Sequence, residues 1–300
     1  MRTGILNTGG GVLQTGWVTS QGQGSVLVFP FFISDTNDLS HTNTVFTLRN
    51  NHPTTSQTFN MYFVNSDGTI VRYGDSLAAN STKIVNVADY SPDASGYVLF
   101  VARASNGFPS NFNYFSGSAS VIMASGHSLT YSGCSIKALS LVWPPLSNLK
   151  SSNPRIELPF DGMFFEFLPG PTADGNNNLT LTGIDSNSII ALSGVNGDLS
   201  GEGLQSFFGV KGTLVAGGKN IVVDMTSESS LLFYGTLSEL FPSITDMNSI
   251  LANGNGIFSA KPIGSRSLFG LVLQKNAVVS RNIDITTSPT YSSLLGVSVI

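Results

Sequence analysis

The stretch from Thr82 to Ala104, TKIVNVADYSPDASGYVLFVARA, decides the fold. Two apolar runs, Ile84 to Ala88 and Tyr97 to Ala102, flank a polar corner from Asp89 to Gly96. Runs this short, rich in Val, Ile, Phe and Tyr and bounded by Pro, Asp, Ser and Gly, predict buried strands around a turn. The pattern returns at Lys219 to Gly235, KNIVVDMTSESSLLFYG, where a lysine again precedes a β-branched run, an Asp and a Ser-rich corner. Setting Asn43 beside Asn178 and Asp89 beside Asp224 gives one offset, 135 residues, for both motifs. A constant offset predicts a duplicated β unit.

Working outward, Val26 to Ile33 reads as an apolar strand interrupted by Pro30. Proline cannot donate to a ladder, so this strand lies at an edge or carries a bulge. Strands follow at Thr44–Arg49, Gln57–Val64 and Thr69–Tyr73, the last two joined by Asn65-Ser66-Asp67-Gly68. Asp-Gly supplies the positive φ angles of a tight hairpin turn. With Asn111–Met123 these make about seven strands in about 100 residues, the density of an immunoglobulin-like sandwich. A connector with Ala138–Trp143 as one further strand, then Pro144 and Pro145, leads to a second set. That set comprises Met163–Leu168, Asn178–Ile184, Ser188–Ser193, Leu204–Val215, Asn220–Met225 and Leu231–Gly235. Thr236 to Asn253 is the one helical candidate; Pro242 splits it, and Ser243 or Thr245 would cap the second piece. Strands at Leu268–Gln274, Ala277–Val279 and Asn282–Thr286 and the terminal run Leu294–Ile300 close the chain.

The expected fold class is therefore all-β, with two immunoglobulin-like or jelly-roll-like β-sandwich units in tandem and little helix. Residues 1–25 form an N-terminal arm, 26–145 the first sandwich, 146–160 a connector and 161–300 the second sandwich.

Charged residues are 11% of the 300, against roughly 25% in an ordinary soluble domain. Hydrophobic residues are only 41%, so Ser, Thr, Asn and Gly cover the surface. That suits secreted all-β proteins and subunits that pack closely against neighbours. A formal net charge of −4 without any basic cluster argues against nucleic acid as a partner. No apolar span reaches 18 residues, which argues against insertion into a membrane as a helix. The N-terminal residues lack the apolar core of a signal peptide, and the composition favours a processed, exported chain. Cys134 is the single cysteine, so no intrachain disulfide forms, and it reads as a small buried apolar residue.

The residue types of catalysis are present without their spacings. His41, His52 and His127 match no metal-ligand pair, and nothing near His127 and Cys134 would orient a Cys–His dyad. Nucleophile-elbow, phosphate-loop and dinucleotide motifs are missing, and the acids Asp161, Glu166, Glu202, Glu228 and Glu239 form no distinguished pair. No cofactor is expected. Calcium is the one alternative, at Asp35–Asp38 or at Asp174, Asn176 and Asn178, whose oxygens alternate as in calcium loops. Against it, Leu179 replaces the sixth-position glycine and Asp185 the twelfth-position Glu, and an Asx-rich turn explains the composition. Phe108, Phe112, Tyr114 and Phe115 read as core, with a glycan-stacking strip as the alternative. Asn80-Ser81-Thr82 and Asn178-Leu179-Thr180 have the pattern of glycosylation sites.

The order of motifs from Phe29 to Lys275 resembles a family of uncharacterised secreted bacterial β-sandwich surface proteins. The matching residues are Phe29-Pro30-Phe31, Phe63-Val64 with Asp67-Gly68, and Pro92 with Ser95-Gly96-Tyr97. Further matches are Asn111-Phe112-Asn113-Tyr114, Ser125-Gly126-His127 and Ala173-Asp174-Gly175-Asn176-Asn177. The resemblance implies a surface or secreted protein without assigned catalytic residues. That family usually carries more cysteines than this chain.

The expected function is that of a structural, self-assembling homopolymer subunit of a bacterial extracellular filament or surface layer, not an enzyme. Subunits would join by strand addition, through Ile5, Leu6, Val12, Leu13, Trp17 and Val18 at one end and Val297, Val299 and Ile300 at the other. A secreted adhesin or carbohydrate-binding module with a glycan partner is the alternative, and a viral capsid subunit a further one.

Overall fold

A computed structural model describes residues 5–8, 11–14, 18–19, 22–37, 42–105, 110, 112–122, 128–136, 156–160, 163–167, 179–186, 188–195, 208–227, 232–252, 256–262, 267–274 and 282–283. The N-terminal segment holds β1 (Ile5–Thr8), β2 (Gly11–Gln14) and β3 (Val18–Thr19). The first half continues with β4 (Val26–Ser34), β5 (Asn43–Asn50), β6 (Gln57–Asn65), β7 (Ile70–Leu77) and β8 (Thr82–Asn86). After it come β9 (Ala94–Arg103), β10 (Phe115–Ile122), β11 (Ser128–Ser132) and β12 (Cys134–Ile136). A hairpin of β13 (Ile156–Phe160) and β14 (Met163–Phe167) precedes the second half. This half comprises β15 (Leu179–Ile184), β16 (Ser188–Val195), β17 (Phe208–Ala216), β18 (Lys219–Ser227) and β19 (Leu232–Gly235). Two short helices, α1 (Leu237–Leu240) and α2 (Met247–Leu251), lead to β20 (Gly256–Pro262), β21 (Ser267–Gln274) and β22 (Asn282–Ile283). The fold is all-β.

Four sheets carry the architecture. They are six-stranded (β3-β12-β4-β9-β6-β7), five-stranded (β22-β11-β10-β5-β8), four-stranded (β15-β20-β17-β18) and three-stranded (β19-β16-β21). The turn Val87–Asp89 carries the chain from β8, in the five-stranded sheet, to β9, in the six-stranded one. The polar corner is thus an arch between two sheets. Of its flanking runs, β9 is buried on both faces, as expected. At the sheet edge, β8 buries Val85 and turns Ile84 outward at 69% exposure, which corrects the expectation of a fully buried run.

The two halves have one topology. The core order β4-β9-β6-β7 matches β15-β20-β17-β18, and β8-β5-β10 matches β19-β16-β21. Even the irregularities coincide: β4 is bulged between Phe29 and Phe32, and β15 between Leu181 and Ile184, both against the strand that follows the arch. The turn Val87–Asp89 is preceded by Asn86, and α1 by its cap Thr236, about 150 residues on. The 135-residue offset is therefore the wrong frame. It sets β5 beside β15 and β8 beside β18, whereas the sheets set β5 beside β16 and β7 beside β18. A polar corner recurs wherever the chain crosses between sheets, so a match of corners alone slips by one strand.

The sheets stack in the order five, six, three, four. Between the first two lies an aromatic core in which Phe29 meets Phe46 at 4.7 Å and Phe100 edge-on at 5.5 Å. Both faces of β16 are used: Ile190 and Leu192 join the second-half core, while Ile189 and Ala191 join the core cluster of the first half. Burial on both sides explains the near-continuous apolar run Ile189–Leu192. Leu214, Phe258, Leu237, Leu240 and Met247 complete the second core, with α1 fixed by a reciprocal capping box between Thr236 and Glu239. Asp246 occupies the cap position of α2, rather than Ser243 or Thr245, and its side chain makes no capping bond. The central strand β20 is absent from the strands read in sequence, because its run GIFSAKP offers only Ile257 and Phe258 before a proline.

Candidate functional site

Pro30 sits in the bulge of β4, one of its two expected settings, and the bulge is where the halves meet. A bulge leaves backbone groups outside the ladder. Here the Pro30 carbonyl accepts a hydrogen bond from the Ser193 hydroxyl of β16, and the Phe31 carbonyl accepts one from Tyr131. The Phe31 ring stacks on Tyr234 of β19 at 4.6 Å and 10°. Burial raises the Tyr234 pKa, so the phenol stays neutral through the physiological range. Leu232 and Leu271 complete this junction, which joins the outer face of the six-stranded sheet to that of the three-stranded sheet.

The terminal segments act as sheet partners. Ile5 and Leu6 of β1 pair with Gln14 and Leu13 of β2, and Val12 pairs with Asn7, so this part of the arm forms its own hairpin. Val18 pairs with Ile136, placing β3 on the chain's own six-stranded sheet. From the other end, β22 adds in parallel to β11, with Ile283 opposite Tyr131, and forms the outer edge of the five-stranded sheet. Trp17, Val297, Val299, Ile300, Asp174, Asn176 and Asn178 lie outside the described residues.

At the opposite edges of these sheets, β7 and β8 are tied together. Lys83 Nζ lies 2.6 Å from Asp75 Oδ2, and Phe63 stacks on Tyr90 at 5.7 Å. Partial desolvation pushes the Asp75 pKa up, but the Lys83 hydrogen bond and charge outweigh it and hold the carboxyl below its ordinary value. The hydrogen bond to Asp75 raises Lys83 correspondingly. The hairpin turn is present, but its positive φ is at Gly68 alone and not at Asp67 as well. Asn65 accepts from Gly68 N at 2.9 Å, Gly68 has φ +89°, and Thr69 bonds hold the Asp67 carboxyl low.

Other candidate groups have structural partners. Thr36 donates its N–H and hydroxyl to Asp93 Oδ1 at 2.7 and 2.6 Å, and Asn37 N–H donates to Asp35 Oδ1, which makes the Asp35 loop an Asx-type turn. His52 Nδ1 accepts from the N–H groups of Thr54 and Thr55, and its ring lies edge-on to Tyr114 at 4.5 Å. Among the described residues no cluster of three or more His, Cys, Asp or Glu is placed to hold a metal. Phe112 and Phe115 are buried as expected, whereas Tyr114 is 40% exposed; Phe108 and His127 lie outside the described residues.

No protein-family model matches the chain, and no curated protein does. Among solved structures, the crystal structure of Thermotoga maritima 1070 aligns with 37% of this chain and 93% of its own length, at 8% identity and a TM-score of 0.31. None of the described helices is long and apolar enough to cross a membrane.

Proposed function

We propose that this chain is a structural, self-assembling subunit of an extracellular filament or surface layer, with a non-catalytic role. The observation that carries the reading is the use of both terminal segments as added strands. Here β3 and β22 each contribute two paired residues at the outer edge of a sheet. Ladders this short are weakly held, and the same segment meets an identical edge on every other copy. Exchange of such strands links subunits through backbone hydrogen bonds. The charged fraction of 11% and net charge of −4 leave little repulsion between copies, and support the same reading. The experiment is negative-stain microscopy and sedimentation of the full chain beside a variant lacking residues 1–25. Polymers of the full chain that shorten or vanish in the truncated chain are expected. A full chain that stays monomeric at high concentration overturns assembly, and unchanged polymers from the truncated chain remove the arm from the junction.

A further inference from the structure

The junction between the halves has a direction. It joins the outer face of the sheet built on β4-β9-β6-β7 to the outer face of the sheet built on β19-β16-β21. Because the halves share one topology, each type of face occurs twice in the molecule. One of each is consumed internally. The four-stranded sheet, counterpart of the six-stranded one, keeps its outer face at one end of the stack. The five-stranded sheet, counterpart of the three-stranded one, keeps its outer face at the other end.

Seven large hydrophobic residues are exposed among the described residues, and five of them lie on these two end faces. Val215 (41%), Val222 (83%) and Ile257 (40%) alternate with the buried Leu214 and Phe258 and the half-buried Ile221, and so occupy the outer face of the four-stranded sheet. At the other end, Ile84 (69%) and Ile122 (41%) alternate with Val85 and Val121 on the outer face of the five-stranded sheet. The register places Val215, Ile257 and Ile84 at junction positions. Val215 pairs with Ile257 as Val64, buried, pairs with Tyr97. Ile84 pairs across to Thr47 as Tyr234 pairs to Ala191. So Ile84 stands where Tyr234 receives Phe31.

We infer that the outer face of the four-stranded sheet docks on the outer face of the five-stranded sheet of a second copy, repeating the internal junction between molecules. The two faces differ, so the contact is heterologous and does not close on itself as a two-fold dimer would. Each added copy presents a fresh pair of faces, and the product is an open head-to-tail stack. Thr47 and Ser118 stand on the five-stranded face where the junction has the fully buried Ala191 and Leu271, which makes the contact between copies weaker than the internal one and dependent on concentration.

This inference rests on the self-assembly reading but uses sheet faces, not terminal strands. Two surface variants of the full chain, Ile84→Lys and Val215→Lys, test it by sedimentation velocity and light scattering against concentration. Each places an unpaired charge in one end face, and each should raise the concentration for assembly about tenfold or more. Circular dichroism and thermal unfolding matching the unaltered chain would confirm that both variants fold. Mixed in equal amounts, the variants should form a 1:1 dimer and stop, because the intact five-stranded face of one meets the intact four-stranded face of the other. Polymers that persist in both variants overturn the inference while leaving self-assembly standing, and a truncation-sensitive polymer then assigns the junction to the terminal strands. Variants that are each defective yet form no dimer when mixed overturn the head-to-tail geometry. An unaltered chain that remains monomeric overturns both readings.

Discussion

Gly96 illustrates how a residue with turn-like composition serves packing instead. It stands in the polar corner of the sequence, yet it belongs to β9, opposite Asn65 of β6. A Cβ at this position would lie 2.0 Å from the Val64 carbonyl oxygen and 3.0 Å from Asn65 Cα. Both are backbone atoms in a central ladder, so relief requires the strands to separate. Gly96→Ala is expected to destabilise the fold by about 2 kcal/mol or more. Urea unfolding would measure it, and a loss below about 0.5 kcal/mol would mean that the strands are less closely apposed than described. The same residue explains why β6 and β9 register as they do: only glycine lets the arch re-enter the sheet beside the end of the β6–β7 hairpin.

Elements were legible where alternation or turn chemistry was strong. Strands β4 to β10 follow from apolar runs between turn residues, and the Gly68 turn, the Pro30 bulge and the break at Pro242 each follow from one residue's backbone restriction; β11 and β12 are absent from the strands read in sequence. The long-range features do not follow from such local rules. Which sheet receives a strand after an arch depends on which face it buries, and β8 and β9 differ in that although their compositions are alike. The duplication was legible, but its frame was set by pairing order, and β20 was lost because its neighbours, not its own residues, bury it. As for the candidate site, the isolated apolar residues of the N-terminal segment mark where β1, β2 and β3 form, while the run Leu294–Ile300 lies outside the described residues. The end faces emerge only once the stacking order is known.

The tie between β7 and β8 is also an element-scale device, closing one side of the first sandwich with Asp75 and Lys83. The folded pKa of Asp75 is lowered, so its contribution is present above the ordinary carboxylate range and lost as pH falls through the folded value. Lys83 is raised, so its contribution is complete below the ordinary lysine value and lost as pH rises through the folded one. The pair is about one-third exposed, and screening limits it to about 0.5 kcal/mol. Asp75→Asn should therefore cost about 0.5 kcal/mol near pH 7 and progressively less at a pH lowered through the folded value of Asp75. Paired denaturant titrations would read this. An equal cost throughout that fall in pH would assign the loss to the Ser76 hydrogen bond instead of the charge pair.

At the scale of the whole molecule, the stack makes the two halves one cooperative body. Among the described residues of the three-stranded sheet, one face packs in the second core and the other in the junction at Phe31, Ser193 and Tyr234. Removing either half would expose the apolar face that the other covers, so neither is expected to unfold alone. The stacked pair Phe31–Tyr234 reports this coupling directly. Phe31→Ala and Tyr234→Ala should each destabilise the chain, and their double-mutant cycle should give a coupling energy of about 0.5–1.5 kcal/mol, the range for aromatic pairs. Thermal unfolding of the unaltered chain should show one transition, monitored equally by fluorescence and circular dichroism. Two transitions, with no coupling in the cycle, would mean that the halves are joined only by chain. In that case the internal junction would be too weak to serve as the template for contact between copies, which ties the stability of one molecule to the assembly of many.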